Sequence, residues 1–290
     1  LGTRSRIPIA ADAAHKAGFW TKKGLGQHLL RDATVVEDAL EALRPSPGDS
    51  VLEIGPGLGA LTESLLKLGL PVIGVEIDPK ACAVLRERFG DLENFHLVQR
   101  DILKLDLPAL LKERKVQRLQ VAANLPYYIT TPVIAGLLEK EIPFERMVAL
   151  TQLEVAQRLV AKPGGKAYAA ISVLAQFWCR VTLLRKVPPG AFTPPPKVHS
   201  GLLLFERQAS PRVQVGNREL FFKVARSSFG KRRKTLRNGL KMSGDLRLAD
   251  RDLEAAFKKS GVDPTRRPET LSLGEFAALT DSIEELLCAE

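Results

Sequence analysis

The chain is poor in cysteine, with only Cys82, Cys179 and Cys288 among its 290 residues. Their number is odd and no C-x-x-C spacing occurs, so neither a disulfide framework nor a zinc-ligand set is suggested, and a reducing compartment is the expectation. No run approaches the ~18 consecutive apolar residues that a membrane span requires. The opening "LGTRSRIPIAADAAHKAG" is basic but lacks the apolar core of a secretory signal, which predicts that the protein is not exported. Internal repeats and low-complexity tracts are missing as well. Acid is in short supply: 33 Asp and Glu stand against 43 Lys and Arg, giving a net charge of +10. An excess of that size steers a protein toward polyanions. Aromatics make up only 6% of the chain, yet two of its three tyrosines stand side by side in "NLPYY", residues 124–128.

From "SVLEIG" onward, short β-branched runs alternate with helix-like segments: "PVIGVEID", "FHLVQRD", "LQVAANLPY" and "RMVALTQ". That alternation predicts βαβ units around a parallel sheet. The runs are nearly continuous in apolar residues, as strands covered on both faces are. An α/β, doubly wound domain is therefore expected over residues 22–208, preceded by a basic arm at 1–21. Two further segments, "AAISVLAQFWCRVTLLRKV" and "SGLLLFERQ", flank a loop with five prolines, "PPGAFTPPPKVH". Both are read as extended and as antiparallel additions to the sheet edge. Beyond about Pro211 the pattern is helical, predicting a small all-α domain over 209–290. Its last helix is announced by Ser272 and Glu275 in capping-box spacing.

Four strand ends carry the chemistry. "EIGPGLG", Glu53 to Gly59, follows the first strand, and Gly55 and Gly57 let backbone approach a ligand. The second strand ends in Glu76, twenty-one residues after Gly55, where an acid meets ribose hydroxyls in this architecture. Asp101 ends the third. No G-K-[ST] follows the glycines, so the ligand should be a nucleoside rather than a nucleotide held by its phosphates. The fourth strand delivers "NLPY". An adenine amine is a poor nucleophile because its lone pair is delocalised into the ring, and two acceptors aimed at its hydrogens favour a more tetrahedral nitrogen. The Asn124 amide oxygen can be one and the Leu125 carbonyl the other, since a residue before proline is held extended. Tyr127 offers a flat face to an unstacked base, and Phe192 in the stiff loop can close the opposite face. Acceleration would come from holding the nitrogen in line with a sulfonium methyl and from polarisation.

With "GLGQHLL", "EIGPGLGALT", "VEID", "QRDIL", "ANLPYY", "TPV", "FTPPPKVHS" and "KRRKTLRN", the sequence resembles the small-subunit type of the ribosomal RNA adenine N6,N6-dimethyltransferase family from about Lys22 to Gly274. The resemblance implies a class I S-adenosylmethionine-dependent, Rossmann-like fold with a helical C-terminal domain. It implies that S-adenosylmethionine lies in the crevice, with Gly55 approaching by backbone, Glu76 on the ribose, Asp101 near the adenine and Asn124 shared with the target amine. Gln27, His28 and Leu30 match family contacts with the cofactor. The implied product is dimethyladenosine at two adjacent adenines of the 3′-terminal hairpin in small-subunit RNA, with a part in subunit biogenesis. Two positions depart from the pattern: His28, where asparagine is also common, and Leu153, where lysine is usual.

Residues 226–241, "RSSFGKRRKTLRNGLK", hold seven Lys or Arg and no acid. With Arg4, Arg6, Lys16, Lys22, Lys23 and Arg31 they predict phosphate contacts. Arg226, Lys231, Arg232, Arg233, Lys234 and Arg237 are the expected RNA-binding residues. The expected partner is small-subunit RNA within an immature ribosomal subunit, met by a monomer in the bacterial cytoplasm or in an organelle with its own ribosomes. Competing readings are a large-subunit RNA, DNA adenine or protein-glutamine methylase, and a non-catalytic assembly or transcription factor on the same fold.

Overall fold

In the computed structural model residues 28–231, 234–246 and 248–288 are described. After a two-residue strand β1 (Leu29–Leu30), which the sequence did not announce, the expected runs become strands: β2 (Asp49–Ile54), β3 (Val72–Glu76), β4 (Phe95–Gln99), β5 (Arg118–Asn124) and β6 (Phe144–Gln152). Helices α1 (Ala33–Leu43), α2 (Ala60–Leu66), α3 (Pro79–Phe89), α4 (Leu107–Glu113) and α5 (Thr130–Glu139) alternate with them. Then follow α6 (Leu153–Leu159), α7 (Ala170–Trp178), β7 (Cys179–Val187), β8 (Phe192–Thr193) and β9 (Ser200–Arg207). The main sheet has the order β4-β3-β2-β5-β6-β9-β7, with β2 to β6 parallel and β9 antiparallel to β6. Strand order therefore reverses between β2 and β5, and a crevice opens at their carboxyl ends, the place where such sheets bind ligands. Val51, Leu52, Leu119, Val121 and Met147 are fully buried in this sheet, as the unbroken apolar runs predict.

Chain contacts divide the molecule into two compact units. Among the described residues, the first holds those up to Ala156 together with Val181–Arg207, and the second holds Gln157–Arg180 and those from Gln208 onward. In this division residues 157–180 go with the helical unit, whereas the sequence reading ran the first domain without interruption over 22–208. The expectation that "AAISVLAQFW" is extended is also corrected: it forms α7, and the strand starts at Cys179. Helix α7 buries seven of its nine residues, so it shows no polar face, and an unbroken apolar run does not distinguish a buried helix from a buried strand.

The second unit contains α8 (Arg218–Phe229), α9 (Leu236–Lys241), α10 (Asp250–Ser260) and α11 (Leu273–Cys288). An aromatic cluster explains why α7 joins it: the Phe177 ring lies 4.8 Å from Phe221 and 5.2 Å from Phe222, and the Arg218 guanidinium lies over Trp178. The capping box forms as the sequence predicts. The Ser272 N–H donates to Glu275 Oε2 at 2.8 Å, and the Glu275 N–H donates to Ser272 Oγ at 3.2 Å. The same Glu275 carboxylate meets Arg266 and is held at about 2, well below the usual range, chiefly by that guanidinium.

Candidate active site

The crevice of the first unit encloses a cavity of about 260 Å³ lined by His28, Gly55, Gly57, Glu76, Asp101, Asn124, Leu125, Tyr127 and Phe192 among others. Nine of the sequence-predicted residues thus meet in one place. Leu30 borders instead a smaller cavity of about 50 Å³ that shares Gly55, Gly57 and Asn124 with the first. Gln27 lies outside the described residues.

The switch point is built by glycine. Gly55 has φ +71°, and a Cβ there would stand 3.5 Å from the Asn124 carbonyl oxygen, so the loop after β2 runs close beside the end of β5. Gly59, with φ +84°, admits the turn into α2; a Cβ would fall 2.5 Å from the Phe89 ring. Between them the Gly57 N–H donates to Glu76 Oε2 at 3.0 Å. The other oxygen of Glu76 accepts from the N–H groups of Ile77 and Asp78, both at 2.9 Å. Burial pushes this carboxyl above its ordinary range, and the three N–H donors pull the other way.

Asn124 ends β5 with its amide nitrogen donating to the His28 carbonyl at 3.1 Å. A carbonyl can only accept, so the nitrogen must face it and Oδ1 is left as an acceptor. The Leu125 N–H continues the ladder to the Leu150 carbonyl at 3.0 Å. Among the described residues no donor takes the Leu125 carbonyl. The turn behind it is closed by the Ile129 N–H on the Pro126 carbonyl at 3.1 Å and braced by Thr130 Oγ1 on the same carbonyl. Within that turn the Tyr127 hydroxyl sits 2.7 Å from Ser200 Oγ, and its ring lies 5.5 Å from that of His28. Burial raises the Tyr127 phenol further above its ordinary range, so it stays neutral. His28 Nδ1 meets the Pro194 carbonyl at 2.8 Å. His28 therefore ties the "NLPYY" turn to the proline loop, while Phe192 pairs with Leu30 through the small sheet of β1 and β8.

Sequence reasoning did not find Ser200, Ile77, Leu103 or Tyr128. Ser200 closes the "FTPPPKVHS" run, which was the available signal. Ile77 and Leu103 follow the two acids, and both are exposed at the cavity although apolar. Carboxylate acceptors flanked by apolar side chains fit the two hydroxyl donors of the ribose and the flat purine of S-adenosylmethionine. Gly55 and Gly57, both at positive φ, line the cavity with backbone alone, which supports the same fit.

The RNA-binding expectations fall in the second unit, on α8, the following loop and α9. Lys231 and Lys234 are exposed and, among the described residues, have no ion pair. Arg226 is exposed on α8. Arg237 is ion-paired to Glu254 at 2.7 Å, and Lys241 to Asp250, so the run without acids in sequence acquires acids from α10 in space. Arg232 and Arg233, like the arm residues Arg4, Arg6, Lys16, Lys22 and Lys23, lie outside the described residues.

A parallel sheet reversing at β2/β5, a glycine loop, an acid at the next strand end and an Asn-Leu-Pro-Tyr turn define an S-adenosylmethionine-dependent, Rossmann-like amino-methyltransferase. A family model described as ribosomal RNA adenine dimethylase matches residues 18–285, and the chain belongs to that family. It is 41% identical over 276 residues to the ribosomal RNA small subunit methyltransferase A of Clostridium botulinum, covering 95% of this chain and 98% of that one. The protein of the same description from Clostridium perfringens is also 41% identical, with 95% of each chain covered. Among solved structures, a dimethyladenosine transferase from Plasmodium falciparum superposes with a TM-score of 0.69 at 25% identity, over 87% of this chain and 96% of that one. The 23S rRNA methyltransferase ErmE gives 0.63 at 25% identity, over 88% and 99%.

Proposed function

We propose that this protein transfers methyl groups from S-adenosylmethionine to the exocyclic amine of two adjacent adenines in the 3′-terminal hairpin of small-subunit ribosomal RNA, giving dimethyladenosine. The observation that carries the reading is the commitment of the Asn124 amide nitrogen to the His28 carbonyl, which leaves Asn124 Oδ1 and the Leu125 carbonyl as the acceptors at the cavity. When bound, the cofactor supplies an electrophilic sulfonium methyl. Glu76 and Asp101 would hold its nucleoside, with Ile77 and Leu103 beside the purine. Asn124 and Leu125 accept the two amine hydrogens and leave the nitrogen lone pair as the free direction. After the first methyl only one N–H remains, so a single acceptor must suffice for the second transfer.

Tyr127, held by Ser200, and Phe192 bound the space for the flipped base. No side chain need remove a proton beforehand, because the amine attacks neutral and releases its proton afterwards. The exposed Lys231 and Lys234 supply phosphate contacts. The small-subunit target is preferred over a large-subunit one because identity to the small-subunit enzymes is 41% across nearly the whole chain, against 25% to ErmE. We place the activity on an immature particle, carried out by a monomer in the cytoplasm; among the described residues no helix is long and apolar enough to cross a membrane.

The direct test offers labelled S-adenosylmethionine with undermethylated small subunits, large subunits, naked RNA and duplex DNA, followed by nucleoside analysis. Dimethyladenosine from the small subunit alone is expected. Label in large-subunit RNA or DNA would overturn the target, and tight particle binding without any transfer would overturn the enzyme.

A further inference from the structure

The "NLPYY" turn presents two aromatic rings and the reading above uses one. Pro126 to Ile129 form a single hydrogen-bonded turn, so Tyr127 and Tyr128 are its two central residues. Their environments are opposite. Tyr127 is half-buried with its hydroxyl held by Ser200, whereas Tyr128 is 57% exposed and its hydroxyl has no partner among the described residues. Tyr128 nonetheless lines the same cavity as Asn124.

Nine large apolar side chains are exposed among the described residues, and three of them, Ile77, Leu103 and Tyr128, border this one mouth. Exposed apolar surface gathered at one place marks a binding site more than singly scattered residues do. Ile77 and Leu103 follow Glu76 and Asp101 in the chain and are accounted for by the cofactor's purine. Tyr128 follows the residues that meet the target amine and has no such occupant.

Drawing one nucleotide out of a stack leaves its neighbour with a bare face in water, and an exposed aromatic beside the pocket can cover it without regard to sequence. We propose that Tyr128 is the stacking platform for the nucleotide that flanks the base in the pocket. This makes it a substrate-positioning residue for the reaction proposed above, on which the inference rests. The platform requires the ring and not the hydroxyl.

The test compares Tyr128→Ala, Tyr128→Phe and Tyr128→Trp with the unaltered protein. Methyl-transfer kinetics are measured on undermethylated small subunits, cofactor affinity is measured separately, and binding is followed with 2-aminopurine placed beside the target adenine. Tyr128→Ala is expected to raise KM for the particle about tenfold, the scale of one lost base–aromatic stack. It should leave cofactor affinity and melting temperature unchanged and abolish quenching of the flanking 2-aminopurine. Tyr128→Phe should match the unaltered protein, and Tyr128→Trp should quench at least as strongly. Unchanged KM and quenching in Tyr128→Ala overturn the platform, as does a Phe variant as impaired as the Ala variant. If the unaltered protein itself transfers no methyl group, the failure lies with the proposed reaction; normal transfer with an indifferent Tyr128 sinks the platform alone.

Discussion

Asn124 was legible as a functional residue because an amide between an apolar strand and a proline has no structural task that a smaller turn residue could not perform. Its orientation was not legible, since the partner that fixes it, the His28 carbonyl, is 96 residues away in sequence. Asn124→Ala should lower kcat about 10²- to 10³-fold, the scale on which one preorganised polar contact to a reacting group acts. Cofactor affinity should change far less; a single-turnover assay with calorimetry separates the two, and near-normal turnover would sink the role. Glu53 presents a different case. Thr62 Oγ1 donates to it at 2.6 Å, yet burial pushes its carboxyl up to about 8. In the unfolded chain it ionises near 4.5. Between these values the folded state binds a proton that the unfolded state has lost, so stability falls as pH rises through that window. Glu53→Gln keeps an acceptor for Thr62 and removes the titration. Its melting temperature should match the parent at pH 4.5 and exceed it increasingly as pH rises toward 8. A difference that is flat with pH would contradict the assignment.

At the scale of elements, the five parallel strands could be read directly, because each is a short apolar run, and the first four are closed in turn by a glycine, two acids and the Asn-Leu-Pro-Tyr turn. The boundary at Cys179 could not. Helix α7 and strand β7 form one apolar run, and only the packing of Phe177 against Phe221 and Phe222 shows which part coils. The antiparallel strand β9 supports the site from outside the motifs: it starts at Ser200, which holds Tyr127, and its next residue is Gly201. A Cβ on Gly201 would come within 2.7 Å of Ala156 Cβ and 2.9 Å of the Leu183 side chain. Gly201→Ala should therefore destabilise the first unit by about 1–3 kcal/mol, the range for overpacking. Because the displaced strand carries Ser200, kcat should fall as well. Thermal melts and turnover report the two effects, and an unchanged melting temperature would show that the strand yields without strain.

For the whole molecule, the net charge of +10 predicted a polyanionic partner, but not how much of that charge is available. Arg237 and Lys241 are engaged by Glu254 and Asp250, whereas Lys231 and Lys234 are not engaged by any described acid. Lys231→Glu with Lys234→Glu should weaken particle binding steeply at low salt and reduce the salt slope by about 2, with cofactor affinity intact. Arg237→Ala should weaken binding less, because the guanidinium already has a partner. Equal losses in both, or a salt slope that does not move, would show that phosphate contacts lie elsewhere.

The order of chemical groups along the chain was determined locally. Glycine, acid, acid and Asn-Leu-Pro-Tyr at four successive strand ends follow from turn geometry and residue chemistry, which short segments carry in themselves, and the sheet rule then places them on one edge. The tertiary structure decided everything that depends on residues far apart: the turning of Asn124 by His28, the holding of Tyr127 by Ser200, the exposure of Tyr128 beside the cavity, and the pairing of Arg237 with Glu254. The three contacts among them span 17 to 96 residues of chain. No local pattern encodes such contacts, because what selects them is the way each compact unit buries its own core.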